Sequence, residues 1–309
     1  MIRLKFGETV MTVYQSAIVP EAGPFALYSQ LKIKSEHQKV LQQLKAIPKL
    51  VAELNQSQPG ADLTSAIAFS KALWSKTNQP MPEELVDFTE LGKGDAVAPA
   101  SDVDVLIHCH SNRHDLHFYL LRKVMAEISE HVELIDETYG YRFMDARDMT
   151  DFIDGTENPE GQARAQVAII PEGTFAGGSY VMAQRFIHDL PAWNQLSIAA
   201  QEKVIGRTKP DSIELDDVPP TSHVGRVDIK EQGKGLKIVR HSLPYGSVSG
   251  DHGLLFLAYC STLHNIKVML ESMYGHKDGQ VDHMLRFTKA VTGAYFFAPS
   301  AEMLQAIEL

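Results

Sequence analysis

The segment VLIHCHSNRHDL (105–116) returns 150 positions later as LFLAYCSTLHNI (255–266). Ser111 and Ser261, His114 and His264, Leu116 and Ile266, and Leu120 and Leu270 share that offset, and a fainter echo links GPFALYSQ (23–30) with GSYVMAQR (178–185). An apolar strand running through Ser-x-x-His into a helix thus occurs twice, and a repeated supersecondary unit points to an ancestral duplication and a fold of two like halves. Chance similarity between two amphipathic strand–helix units is the competing explanation.

The elements around the first copy define the unit. PFALYSQLKI (24–33) alternates as a strand, and Ser35 to Leu54 carries Val40, Leu44, Ile47, Val51 and Leu54 at helical spacing, with Pro48 expected to kink or end that helix. Leu63 to Phe69 reads as a second strand. A loop punctuated by Pro80, Pro82, Gly92, Gly94 and Pro99 leads to a third strand, Val103 to His108. Arg113 to Glu130 is helical, with Leu116, Leu120, Val124 and Ile128 on one stripe, and Val132 to Thr138 closes the half as a strand. This strand–helix–strand–strand–helix–strand order is the ferredoxin-like arrangement. The expected fold is therefore α+β: two ferredoxin-like domains, 1–143 and 144–309, whose antiparallel sheets face each other in a barrel-like body. Residues 139–162 and 210–226, rich in Asp, Gly, Asn and Pro, are loops, and EQGKGLKI (231–238) is a hairpin turn between Val227–Ile229 and Leu236–Val239.

Charge and composition exclude several classes of function. A net charge of -10 and a pI near 5.7 repel phosphate backbones, and no local run of Lys and Arg reverses that field, so nucleic acid is not an expected partner. Two cysteines, Cys109 and Cys260, end apolar runs and read as buried thiols rather than a disulfide framework. The opening MIRLKFGETVMTVYQ lacks an apolar leader core, and Met11 is an alternative start. No apolar stretch approaches the ~20 residues of a spanning helix. A cytoplasmic protein is the expectation.

Three segments invite a chemical reading. FIDGTENP (152–159) is either a functional loop or a plain turn in which Asp154 caps its own backbone. In IHCHSNRHDLHF (107–118), His108 and His110 share a strand face and His114 and His117 lie one helical turn apart, a pattern open to a metal ion or to core-edge histidines. The glycines of EQGKGLKI and of Gly246 to Gly250 lack the spacing of a phosphate loop or a hydrolase nucleophile turn.

FIDGTENP, VIGRTKPD (204–211), TSHVGRVD (221–228), GLKIVRHSLPYG (235–246) and MLRFTKAVTGAYFFAPS (284–300) together resemble the dye-decolorising peroxidase family, in particular its bacterial cytoplasmic B-type branch, from about Met11 onward. The resemblance implies one haem b per chain, reduction of hydrogen peroxide, and one-electron oxidation of bulky aromatic and phenolic compounds through a ferryl intermediate. It assigns Asp154 and Arg240 as catalytic residues, with Ser242 at a hydrogen-bonding position beside them. It assigns His223 as the axial ligand of the iron, Asp282 as the carboxylate behind it, Arg207 as a haem-propionate partner and Gly155 as part of the cofactor loop. One position departs from the family pattern: the first glycine of G-x-x-D-G is Asp151, which a left-handed turn would strain. Trp74, Trp193, Tyr141 and Tyr245 are candidates for carrying electrons to bulky reductants. The ending EMLQAIEL lacks the tail by which some relatives enter encapsulating shells, and a homodimer or larger homo-oligomer is expected by analogy. The alternatives are a haem-handling protein that releases iron from haem, with incidental peroxidase activity, and a non-haem metal protein built on the histidine run.

Overall fold

The computed structural model describes residues 13–309 and the backbone of 5–6 and 9–10; Met11 lies outside the described residues. The first half runs β1 (Phe25–Ile33), α1 (His37–Ser57), β2 (Thr64–Phe69), β3 (Val105–Ser111), α2 (His114–Ile128) and β4 (Val132–Tyr141). Its sheet order is β2-β3-β1-β4, all antiparallel.

The second half is laid out in the same way. After α3 (Gln162–Ala168) come β5 (Ser179–His188), α4 (Ile198–Ile205) and α5 (His223–Val227). These are followed by β6 (Val239–Arg240), β7 (Leu243–Gly246), β8 (His252–Cys260), α6 (Leu263–Met273), β9 (Thr288–Ala290) and β10 (Ala294–Ala298). The strand β8 lies between β5 on one side and β6 with β7 on the other, and β10 flanks β5. GPFALYSQ and GSYVMAQR, the fainter sequence echo, form β1 and β5, each the first strand of its half.

Period-two alternation sorts the strands between two cores. Leu27, Leu31, Ile67, Phe69, Ile107 and Cys109 point outward and are covered by α1 and α2 through Leu44, Ile47, Leu120 and Val124. Ala26, Tyr28, Ala66, Ala68, Ala183, Leu257, Tyr259 and Phe296 point inward to a second core between the halves. The small inward residues let the two sheets approach closely, and Tyr28 Oη donates across the interior to the His241 carbonyl at 2.6 Å.

The halves face each other as expected, but they form one ten-stranded sheet rather than two separate ones. A single bridge pair, Phe297 with Phe69, joins β10 to β2. At the opposite edge β4 and β7 come so close that a Cβ on Gly140 would lie 2.8 Å from Leu243 Cβ, yet no ladder joins them among the described residues. The barrel is therefore not closed.

Several local expectations need correction. The helix α1 continues through Pro48 to Ser57. The strand β4 extends to Tyr141, into the segment read as loop. Val227 ends α5 instead of starting a strand; the hairpin pairs Lys230–Glu231 with Lys234–Gly235 around Gln232 and Gly233, both at positive φ. Among the described residues no helix is long and apolar enough to cross a membrane.

Candidate active site

The outer face of the second half's sheet does not pack directly on all of its helices. A cleft of about 310 Å³ lies between Phe186 of β5, Leu254 and Phe256 of β8, Met269 and Met273 of α6, and the loops around Asp154 and His223. Its walls are mainly apolar, and its polar groups are few and placed at particular points, as in small-molecule and cofactor sites.

His223 opens α5, after the N-cap Ser222, whose hydroxyl accepts from Gly225 N–H at 3.1 Å. The cap fixes where the helix begins and turns the His223 ring into the cleft. Its Nδ1 donates to Asp282 Oδ2 at 2.7 Å. Asp282 is fully buried and caps the short 3-10 helix His283–Arg286, accepting from Met284 N–H at 2.8 Å. Burial alone lowers the His223 pKa, but the Asp282 carboxylate more than offsets this and leaves it above the ordinary histidine value. With Nδ1 committed to Asp282, Nε2 is the ring nitrogen left for a ligand in the cleft.

On another wall, Asp154 lies within a turn in which Asp151 adopts φ 66° and Gly155 adopts φ 81°. Asp151 tolerates the left-handed conformation: its N–H donates to the Asp148 carbonyl at 2.9 Å and its carboxylate meets Lys209 at 3.2 Å. Asp and Asn are the non-glycine residues best suited to that region. The turn expected from the motif therefore survives without its first glycine. Asp154 Oδ1 accepts from Gly155 N–H at 2.7 Å and lies 4.0 Å from the Arg240 guanidinium, both side chains being partly exposed to the cleft. Ser242, two residues after Arg240, accepts from Leu257 N–H at 3.2 Å, so its own proton remains free to donate.

Arg207, just past the C-terminus of α4, sits at the rim; it donates to the Ser212 carbonyl at 2.7 Å and meets Glu157 at 2.6 Å. Six of the seven expected site residues thus line one cleft, and the seventh, Asp282, stands directly behind His223.

Two features were not anticipated. His188 also lines the cleft, held between Thr288 Oγ1 at 2.7 Å and Asp148 Oδ1 at 3.0 Å. Burial would raise the Asp148 pKa, yet His188 and Thr150 bring it below the ordinary value. The partners are 40 residues apart in sequence, so no local spacing signals the pair. The second is Gln184, whose buried amide faces the same cleft and has no hydrogen-bond partner at either end among the described residues.

The histidine run is not part of this site. His108 and His110 point into the core between the halves, where His108 Nδ1 meets Tyr259 Oη at 3.0 Å and His110 Nδ1 accepts from Gly23 N–H at 3.1 Å. His117 bonds Ser111 Oγ at 3.0 Å on the helix side, and His114 is exposed. Among the described residues no group of three His, Cys, Asp or Glu is arranged to hold a metal ion. Cys109 and Cys260 are buried free thiols. Trp74, Trp193 and Tyr245 are buried, and only Tyr141 of the aromatic candidates is partly exposed.

The chain is similar to known proteins along most of its length. Residues 15–142 match the model of the Dyp-type peroxidase N-terminal region, and residues 145–303 match that of the C-terminal region. A dye-decolorizing peroxidase of Mycobacterium tuberculosis is 38% identical over 269 residues, covering 84% of this chain and 80% of that protein. Among solved structures, a dye-decolorizing protein from V. cholerae is 69% identical with a TM-score of 0.95, covering 96% of this chain and 100% of that one. A variant of DypB from Rhodococcus jostii RHA1 in complex with heme is 31% identical with a TM-score of 0.88, covering 95% and 98%. The chain belongs to the Dyp-type peroxidase family.

Proposed function

We propose that this protein is a haem peroxidase that reduces hydrogen peroxide at the cleft and oxidises bulky aromatic and phenolic compounds and dyes. The observation that carries the reading is the pairing of His223 Nδ1 with the buried Asp282, which leaves Nε2 free in an apolar cleft that also presents Asp154 and Arg240. The donor set fits haem b: one neutral imidazole nitrogen for the iron, apolar walls for the macrocycle, and Arg207 at the rim for a propionate. When bound, the haem supplies the redox-active iron that takes up the oxidising equivalents of peroxide and releases them one electron at a time.

The chain's own residues manage protons and charge. An ionised Asp154 is placed to remove a proton from one peroxide oxygen and return it to the other as water leaves. Arg240 is permanently cationic and offsets the negative charge that develops on the leaving oxygen. The free hydroxyl proton of Ser242 can orient peroxide by hydrogen bonding. Asp282 fixes the tautomer of His223 and makes its Nε2 a stronger donor. We place the division between the two domains at 143/144, and a homo-oligomer is part of the proposal.

The test is the absorption spectrum of the haem-supplemented protein before and after one equivalent of peroxide. Wild type is expected to show a Soret band that shifts with peroxide, and His223→Ala a weakened or altered one. Asp154→Asn and Arg240→Leu with haem bound are expected to lower kcat/KM for peroxide by roughly 10²-fold or more. Absence of a Soret band in wild type, or unchanged turnover in both Asp154→Asn and Arg240→Leu, would overturn the reading.

A further inference from the structure

The Arg240 guanidinium makes no hydrogen bond among the described residues, and its contact with Asp154 is a loose 4.0 Å pair. Such a partly exposed pair, worth ~0–1 kcal/mol, does not by itself fix two side chains. The placement of Arg240 therefore depends on what holds its backbone. That backbone lies in β6, only two residues long and paired with β8 on one side alone.

The other side is held by a single side chain. Asn158 Oδ1 accepts from Arg240 N–H at 2.8 Å, and Asn158 Nδ2 donates to the Arg240 carbonyl at 2.8 Å. The amide thus imitates a neighbouring strand's peptide group, bonding both main-chain polar atoms of one residue. Asn158 N–H in turn donates to the Gly155 carbonyl at 2.9 Å, so the clamp grows out of the same turn that carries Asp154. One side chain therefore connects the Asp154 turn to the Arg240 strand across 82 residues of sequence. A primary amide offers a donor and an acceptor side by side on one planar group, with the spacing of a peptide's C=O and N–H. Aspartate would set a second acceptor against the Arg240 carbonyl, and glutamine is one methylene too long.

We propose that Asn158 is a positioning residue that sets the separation of Asp154 and Arg240 by clamping the Arg240 backbone. This rests on the reading that those two residues act together in peroxide turnover.

The test uses haem-loaded wild type, Asn158→Ala, the near-isosteric Asn158→Asp, Arg240→Leu, and the Asn158→Ala/Arg240→Leu double variant. Two quantities are read: kcat/KM for peroxide, and hydrogen exchange at the Arg240 amide. Asn158→Ala and Asn158→Asp are expected to lose roughly 10- to 100-fold in kcat/KM, the scale of a small misplacement of a catalytic group. In both, exchange at Arg240 speeds up while exchange in α1 and α2 is unchanged, which shows that the fold is intact. In the Arg240→Leu background, Asn158→Ala adds less than about a twofold further loss, because residues that act through one another are not additive. Equal losses in both backgrounds, or unchanged exchange at Arg240, would overturn the proposal. If Arg240→Leu alone leaves turnover intact, the role given to Arg240 falls, and the exchange rate still decides whether Asn158 holds its backbone.

Discussion

Gly155 adopts φ 81°, and a Cβ built there would meet nothing within 4 Å. Its requirement is conformational and not spatial, so Gly155→Ala is expected to cost about 1–2 kcal/mol in urea denaturation. Asp151, at φ 66° and paired with Lys209, has already absorbed that strain; Asp151→Gly is expected to move stability by less than about 1 kcal/mol. Behind His223, Asp282→Asn keeps an oxygen for the Nδ1 proton but removes a buried charge. A less anionic partner makes the imidazole a poorer donor, so the reduction potential of the bound haem is expected to rise, as read by redox titration. A potential unchanged from wild type would show that Asp282 serves packing alone. Asp154, Gly155 and His223 were legible because the motif blocks keep their spacing in sequence, whereas Asp282 lies outside those blocks and was read only from the family resemblance. The His188–Asp148 pair was not legible, because its members are brought together only by tertiary structure. Asn158 lay inside a recognised block and was still read as a turn former, since its partner is 82 residues away.

At the scale of elements, hydrophobic periodicity located the four strands and two long helices of the first half's main sheet and misjudged their ends, and it missed the short hairpin of Leu91–Lys93 with Ala96–Ala98, which was read as loop. Val40, Leu44, Ile47, Val51 and Leu54 keep one buried stripe on both sides of Pro48, and that burial overrides the local tendency of proline to end the helix. The missing N–H leaves the Leu44 carbonyl without its intrahelical partner, and the ring sits on a half-buried face. Pro48→Ala restores that bond but loosens the unfolded chain, which subtracts from the gain. A net stabilisation of about 1–2 kcal/mol is expected, measured by urea denaturation. A destabilised variant would mean that the helix needs a bend at Pro48 to cover the sheet. The extension of β4 to Tyr141 has a different cause. Tyr139 and Tyr141 pair with Leu27 and Phe25, and a polar segment is drawn into the ladder by its partner strand rather than by its own pattern.

At the scale of the whole molecule, the interior between the halves holds titratable groups that must stay neutral. Burial, largest among the causes, lowers the pKa of His110 to about 4 and that of His241 to about 3, and puts His108 well below the ordinary value. On the helix side, burial lowers His117 to about 3. Arg164 adds to this: it is buried, forms no ion pair among the described residues, and bonds the carbonyls of Val19, Pro20 and Pro159 while approaching His241 Nε2 at 3.2 Å. Its fixed positive charge opposes protonation of His110 and His241. In the unfolded chain these histidines titrate near ~6.5. Between about pH 6.5 and 4 the unfolded state therefore binds protons that the folded state refuses, and stability falls as pH falls by up to ~1.4 kcal/mol per pH unit for each such histidine. His223 and Asp136, whose pKa values are raised, act in the opposite sense, while His283, lowered by burial, acts with the four. Urea denaturation of the haem-free protein at pH 7 and pH 5.5 is expected to show a loss of several kcal/mol. The loss should be smaller in His110→Asn by roughly one histidine's share, because an asparagine oxygen can still accept from Gly23 N–H but cannot take a proton in that range. An equal pH slope in wild type and His110→Asn would remove His110 as a source of the acid sensitivity and leave it to the other buried histidines.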